Sequence, residues 1–280
     1  MAAVGVKMAD DVKAGVARMY DAMASTYNQI IPWHTYFGER LVEAAGVSEG
    51  HHVLDVATGQ GACLIPAAAA VGASGLVVGI DLSREMLDVL DQSIAEAGLE
   101  HVRTELMDAE ALQFEDRSFD VVTCAFAVFF FPDRPRAVGE FVRVLKPGGT
   151  VAFSTFANDS LGYPWFGDVA RPFLPDDGIP PDAARRFLHI DTDEFHEQLQ
   201  RAGCEEPVSE VIEARFHFVS ADEHWAWLMS NGHRNTIERI DPSQLDLFKD
   251  ALTHRLEQHR DEHGYAFARP IRITIAQRAE

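Results

Sequence analysis

The 280-residue chain is poor in cysteine and in positive charge, and it lacks a long unbroken apolar run. Only Cys63, Cys124 and Cys204 are present, far apart and without a CxxC pair, so neither a disulfide framework nor a zinc ribbon is indicated. Twenty-four basic residues against 44 acidic ones leave a formal charge of −20, which repels nucleic-acid phosphates and anionic lipid alike. The most apolar stretches, Leu64–Ile80 and Val121–Phe131, are too short or too interrupted to span a bilayer. Met1–Asp11 has no apolar centre of signal-peptide type and soon turns acidic. The expectation is a soluble cytoplasmic protein that avoids nucleic acid and membrane, holds no metal and serves a small-molecule substrate. Homo-oligomer formation is left open. An apolar share of 47% is ordinary for a folded chain of one or two domains.

Hydrophobic spacing gives the order of elements. Val12, Val16, Met19, Met23 and Ile30 predict an amphipathic helix over Asp10–Ile31, stopped by Pro32. A second helix spans Phe37–Ala45. Strands then fall at His52–Ala57, Gly75–Ile80, His101–Met107, Phe119–Ala125 and Thr150–Phe156. Helices separate them at Ala62–Val71, from the cap Ser83 to the stop Gly98, and at Arg136–Leu145. Strand and helix alternating at this interval mean a parallel sheet with right-handed crossovers. Further on, a helix is expected at Asp191–Ala202, strand character at Val208–Val219, helices at Ala221–Asn231 and Ser243–His263, and a half-buried strand at Ala268–Ala276.

The strongest local signal is Val53-Leu54-Asp55-Val56-Ala57-Thr58-Gly59-Gln60-Gly61, a strand that runs into glycines and opens a helix. Glycine lets a ligand approach the backbone, and a helix start supplies free N–H donors. Asp81 ends the next strand, where open α/β folds place the carboxylate that takes ribose hydroxyls. Asp108 ends the third. The plain alternative is a tight turn with helix-capping acids, and three carboxylates at one sheet edge argue against it. The turn departs from the GxGxxG dinucleotide pattern: Leu64 stands where the third glycine belongs, and Asp55 sets a negative charge beside it. A ligand with ribose and a cationic amino-acid arm fits better than a pyrophosphate.

These residues resemble class I methyltransferases that use S-adenosylmethionine, in particular the ubiquinone/menaquinone methyltransferases and the small-molecule methyltransferases of secondary metabolism. Four segments carry the likeness: Leu54–Gly61, Gly79–Ser83 with Met86, Phe119–Val122 leading to Phe131-Pro132-Asp133, and Leu145–Gly149. The resemblance implies a Rossmann-like, doubly wound and mostly parallel seven-stranded sheet with an antiparallel last strand, plus N-terminal helices and a helical lid. It divides the chain into a helical cap (1–50), a cofactor-binding core (51–157), lid insertions (158–190 and 221–264) and segments that complete the sheet (191–220 and 265–280). By position, Gly59, Gly61 and the Ala57 carbonyl would line the methionine part of the cofactor, with Asp55 orienting it. Asp81 would take the ribose, Leu82 and Met86 would lie near adenine, and Asp108 with Ala109 would meet its amino group. Cys124 and Ala125 would lie beneath, with Val128 close by. Tyr27, or less well Tyr20, would close over the cofactor.

Methyl transfer from a sulfonium needs alignment and exclusion of water more than it needs a base. Where some relatives carry histidines, this chain has Val128-Phe129-Phe130-Phe131, so the base is missing there. His34, His224 and His233 are the remaining candidates. Trp33, Phe129, Tyr163, Trp165, Trp225 and Arg234 are candidates for the substrate wall. His254, His259 and His263 share a predicted helix whose charged neighbours make it a solvated face rather than a metal site. The function expected is methyl transfer to O, N or C of a small molecule. The alternative is a cofactor held structurally beside a non-methylating step such as cyclisation. An NAD-dependent dehydrogenase fits the turn poorly, and a nucleic-acid methyltransferase conflicts with the charge.

Overall fold

The computed structural model describes residues 2–157, 164–176 and 188–280, so Tyr163 lies outside the described residues. Two helices come first, α1 (Ala2–Met23) and α2 (Trp33–Ala44). Strands β1 (His52–Val56), β2 (Leu76–Asp81), β3 (Val102–Leu106), β4 (Phe119–Ala125) and β5 (Leu145–Phe156) follow, connected partly by α3 (Leu64–Val71), α4 (Arg84–Ala97) and α5 (Arg134–Val144). Val53 to Val56 are all buried, as expected of a central parallel strand covered on both faces. Ser83 caps α4 by accepting from the Met86 amide, and Gly98 closes it with φ 64°, both as the sequence indicates.

The main sheet has the order β3-β2-β1-β4-β5-β10-β6, with β6 at Val208–Ile212 and β10 at Ile271–Gln277. Strand β10 runs antiparallel to both β5 and β6, and the other pairs are parallel. This is the expected Rossmann-like sheet with its reversed last strand. The strand order turns back between β1 and β4, and such a switch point opens a crevice at the carboxyl ends of the strands.

The structure corrects three boundaries. Helix α1 ends at Met23 rather than Ile31: Asn28 takes a left-handed φ of 56°, and Thr26 folds its hydroxyl back onto the Met23 carbonyl. The strand expected over Val208–Val219 breaks at Glu213-Ala214 into β6 and β7 (Arg215–Phe218). The helix expected over Ser243–His263 stops at Glu257, and residues 260–268 form a hairpin of β8 (Arg260–Asp261) and β9 (Gly264–Ala268). Strands β7, β9 and β8 make a second, antiparallel sheet. Around it stand α6 (Pro164–Ala170), α8 (Ala221–Met229), α9 (His233–Ile237) and α10 (Leu245–Glu257). The helix α7 (Thr192–Arg201) instead packs beside α5, its start capped by Asp191. No helix among the described residues is long and apolar enough to cross a membrane.

Candidate active site

A cavity of about 1050 Å³, counted with its open mouth, lies at the carboxyl ends of β1, β2 and β4 and beside the loop after β3. Helix α1 and the turn after it form its roof through Lys13, Val16, Tyr20, Tyr27 and Asn28. Of the expected cofactor residues, Tyr27, Asp55, Ala57, Gly59, Asp81, Leu82, Asp108, Ala109 and Ala125 line it. Gly61, Met86, Cys124 and Val128 do not; all four are buried in the packing behind the wall. Gly61 instead packs closely, since a Cβ there would stand 2.6 Å from Leu90 Cδ1. Gly59 has φ 53°, and a Cβ there would meet no atom within 4 Å. It faces the open cradle. Ala57 (φ 54°) and Phe126 (φ 53°), also in the wall, take the same left-handed conformation despite their side chains. Such residues each store about 1–2 kcal/mol of strain, and strain of this kind clusters at ligand sites.

The carboxylates hold the wall as well as facing the cavity. Asp55, 1% exposed, accepts from Thr58 Oγ1 at 2.6 Å and Thr123 Oγ1 at 2.7 Å, so its oxygens are engaged inside the protein. Burial raises its pKa to about 6, against the opposing pull of those two hydroxyls. Asp81 accepts from the Gly59 amide at 2.8 Å and the Ser83 amide at 2.9 Å, locking the glycine turn to the end of β2. Burial raises its pKa too, while the backbone donors lower it. The roof is tied down at three places missing from the sequence reading. Lys13 Nζ lies 2.8 Å from Asp108 and also pairs with Glu110. Ser83 Oγ donates to Asp21 at 2.6 Å, and the Gln60 amide donates to the Ala24 carbonyl.

His34 is the one expected catalytic histidine in the cavity wall. Asn28 Nδ2 donates to Thr35 Oγ1 at 3.0 Å, which turns its oxygen toward His34 Nδ1 at 3.3 Å. The proton therefore sits on Nδ1, and Nε2 accepts from the Tyr27 hydroxyl at 2.9 Å. Desolvation, then the Arg269 cation, lowers the His34 pKa to about 3. His224 and His233 are also lowered to about 3, mainly by burial, and stand outside the cavity in the lid: His224 against Phe218, and His233 against Phe166 and Trp227. All three are neutral at pH 7 and weak proton acceptors.

None of the expected substrate-wall residues that the structure describes lines this cavity. Trp33 packs on Phe126 with ring centroids 4.5 Å apart, and Phe129 stacks on Phe156 at 5.5 Å, one layer behind the cavity. Trp165 stacks on His259 within the lid. Two expectations need correction. Trp225 lies against Phe248 with Lys249 Nζ over its ring at 4.4 Å, and Arg234 pairs with Glu238 one helical turn on, so both serve lid packing or surface. No cluster of three or more metal-ligating side chains occurs among the described residues.

One cation went unnoticed in the sequence. Arg269 occupies the two-residue joint between β9 and β10 and is only 8% exposed. Its guanidinium lies over the Phe156 ring at 3.5 Å and near the Trp33 ring at 5.3 Å. Burial lowers its pKa to about 9, so it remains protonated at pH 7. A buried cation–π contact is worth about 2 kcal/mol, while desolvating an unpaired ion costs several. The rings do not offset the burial.

A roofed crevice at the switch point of a Rossmann-like sheet, with a glycine cradle and acids at successive strand ends, defines an α/β enzyme that binds a nucleoside cofactor. The ubiE/COQ5 methyltransferase family model matches residues 1–170. The chain belongs to that family and is an S-adenosylmethionine-dependent methyltransferase of a small-molecule acceptor. It is 36% identical over 169 residues to the aklanonic acid methyltransferase DauC of Streptomyces sp. (strain C5), covering 60% of this chain and 73% of that one. With the nocamycin O-methyltransferase of Saccharothrix syringae it shares 27% identity over 268 residues, 86% of this chain and 90% of the relative. The crystal structure of the YcgJ protein from Bacillus subtilis shares the fold, with TM-score 0.59 at 19% identity over 88% of this chain and 99% of that one.

Proposed function

We propose that the cavity binds S-adenosylmethionine through Asp81, Gly59, Ala57, Asp108 and the roof residue Tyr27, and that the acceptor enters from the aromatic side of His34. The observation that carries this reading is the set of acids at successive strand ends around one roofed cavity, beside the Gly59 cradle. The donor set suits the cofactor. Carboxylates accept from ribose hydroxyls and an adenine amino group, and they complement a cationic arm. When bound, the cofactor supplies an electrophilic methyl group on a positively charged sulfur. The relatives' names, an aklanonic acid methyltransferase and a nocamycin O-methyltransferase, support a small-molecule acceptor, with oxygen the methylated atom in the second name.

The protein's own contribution is placement and dryness. The roof of α1 excludes water, and Tyr27 with His34 fixes the cavity edge in one hydrogen-bonded arrangement. The neutral histidines are too weakly basic to drive proton removal, so proximity and desolvation carry the reaction. The test is direct. S-adenosylhomocysteine should raise the melting temperature and NAD should leave it unchanged. Incubation with methyl-labelled cofactor and a fraction of small metabolites should move label into an organic product. Stabilisation by NAD alone would refute the reading.

A further inference from the structure

Three side chains at the cavity edge form a hydrogen-bonded chain with a fixed direction. Asn28 stands in the turn between α1 and α2 at φ 56°, a left-handed conformation that asparagine adopts more readily than most residues. The turn brings its amide against the first residues of α2. Thr35 Oγ1 accepts from Nδ2 at 3.0 Å, which leaves Oδ1 to accept from His34 Nδ1 at 3.3 Å. Desolvation and the nearby Arg269 cation hold the imidazole neutral, so with the proton on Nδ1 its Nε2 can only accept. The donor is the Tyr27 hydroxyl, 2.9 Å away. A phenol has one proton, and burial, with Tyr20 and Asp81 near it, keeps that proton bound. Once the proton is directed at His34, only lone pairs remain for other partners. Tyr27, Asn28 and His34 all line the cavity, and Tyr27 links its two ends. Its hydroxyl bonds His34 on the acceptor side and lies within reach of the Asp81 charge on the ribose side.

We propose that Asn28 is a positioning residue that, through His34, turns the Tyr27 hydroxyl proton away from the cavity, so that the phenol oxygen presents lone pairs to the positively charged sulfur of the cofactor. The sulfur joins the nucleoside to the transferable methyl group, so it belongs between the Asp81 end and the acceptor end, where Tyr27 stands. The proposal rests on the cofactor reading above. A hydroxyl proton turned inward would set the positive end of a dipole against that cation, whereas the proton on His34 leaves the negative end facing it. The contact is made with the charged sulfur of S-adenosylmethionine and lost with the neutral sulfur of S-adenosylhomocysteine. Asn28 thereby biases the cavity toward the methyl donor and against its product, and Thr35 fixes the orientation of the Asn28 amide that does so.

The test needs no acceptor. Long-range proton–nitrogen NMR reads the His34 tautomer, its signals assigned by their loss in H34Q, and the wild type should carry the proton on Nδ1. N28G suits the left-handed turn and removes the amide oxygen, while T35V leaves Asn28 in place and takes away the acceptor that orients it. Both should move a measurable fraction of the His34 proton to Nε2. In calorimetric titrations both should lower the preference for S-adenosylmethionine over S-adenosylhomocysteine by about three-fold, the value of one weak polar contact. Affinity for S-adenosylhomocysteine itself should change less than about two-fold, because its sulfur is neutral. Y27F should lower the preference as far, and N28G added to Y27F should lower it no further. A wild-type proton on Nε2, an unmoved tautomer in both variants, an unchanged preference, or an additive loss in the double variant would each overturn the proposal. So would an equal loss of both affinities, which makes Asn28 only a structural part of the roof. Failure of the wild type to bind either ligand would instead strike the cofactor reading.

Discussion

Lys13 Nζ, on the N-terminal helix, lies 2.8 Å from Asp108 Oδ2 at the far edge of the cavity. The carboxylate expected to meet an adenine amino group is thus already bound to an ammonium that also pairs with the buried Glu110. The contact makes α1 a roof latched to the core rather than a free arm. K13M leaves Glu110 without its cation and is expected to cost about 1–3 kcal/mol of stability. It should also speed S-adenosylhomocysteine dissociation by about ten-fold, which one lost charge-assisted contact supplies. Stopped-flow displacement checks the rate. An unchanged rate would show that the roof opens independently of the latch.

Asp81 joins the cofactor cradle to the end of β2 through its two amide acceptor bonds. D81A removes a carboxylate from a nearly dry wall and is expected to raise the dissociation constant of S-adenosylhomocysteine by about 10–100-fold, the value of one or two hydrogen bonds to a charged group. Circular dichroism should remain native, because the strand itself is held by β1 and β3. Calorimetric titration with an unchanged constant would remove Asp81 from the site.

Three desolvated histidines, His224 buried and His34 and His233 half-buried, set the acid limit of the fold. His34, His224 and His233 have native pKa values near 3 against 6.5 when exposed, so below pH 6.5 the unfolded chain takes up protons that the native one refuses. Their stabilisation is complete above that pH and drains away as pH falls toward 3, by about 1.4 kcal/mol per unit for each histidine. Asp55 works in the opposite sense. Its native pKa of about 6 lets the folded state keep a proton that the unfolded state has lost, so it stabilises as pH falls from 6 toward 3.8. Asp81 acts in the same direction as Asp55. Three groups outweigh two, and the urea midpoint is expected to drop between pH 6.5 and pH 4.5. D55N should steepen that slope and H224Q should flatten it. A midpoint independent of pH would contradict the burial of these imidazoles.

Much of this architecture was legible in the sequence because strands buried on both faces and well-capped helices write their pattern locally. Ser83, Gly98 and Asp191 each mark a helix end where the structure has one. The acids Asp55, Asp81 and Asp108 were legible for the same reason, as Asp81 ends β2, Asp55 stands one residue before the end of β1 and Asp108 two residues past the end of β3. The second sheet was hidden. Strand β8 has two residues, and β9 follows it after a two-residue turn, so neither offers a period to read. Lys13, Asn28 and Gln60 were missed because their partners are far along the chain or depend on the left-handed turn at Asn28. Arg269 stands in an unremarkable Ala-Arg-Pro sequence, and only the packing of Phe156 and Trp33 around it makes it unusual.

Gly38 sets the contact between α2 and the cofactor loop. Helix α2 crosses the cofactor loop so closely that a Cβ at Gly38 would stand 2.1 Å from the Ala62 carbonyl oxygen and 2.5 Å from its carbon. Both are backbone atoms, so no rotamer change relieves the clash. Either α2 shifts outward, or the loop bearing Gln60, Ala62 and Cys63, all in the cavity wall, is displaced. G38A is expected to cost about 1–3 kcal/mol, the usual range for overpacking, although alanine favours a helix by about 1 kcal/mol. S-adenosylhomocysteine affinity should fall with it, because the displaced loop is the cradle. Gly139, inside α5, supplies the control, since a Cβ there would meet no atom within 4 Å. G139A should raise the melting temperature through helix propensity alone and leave cofactor affinity unchanged. If G38A and G139A behaved alike, the close approach of α2 to the loop would not be what holds the cradle in place.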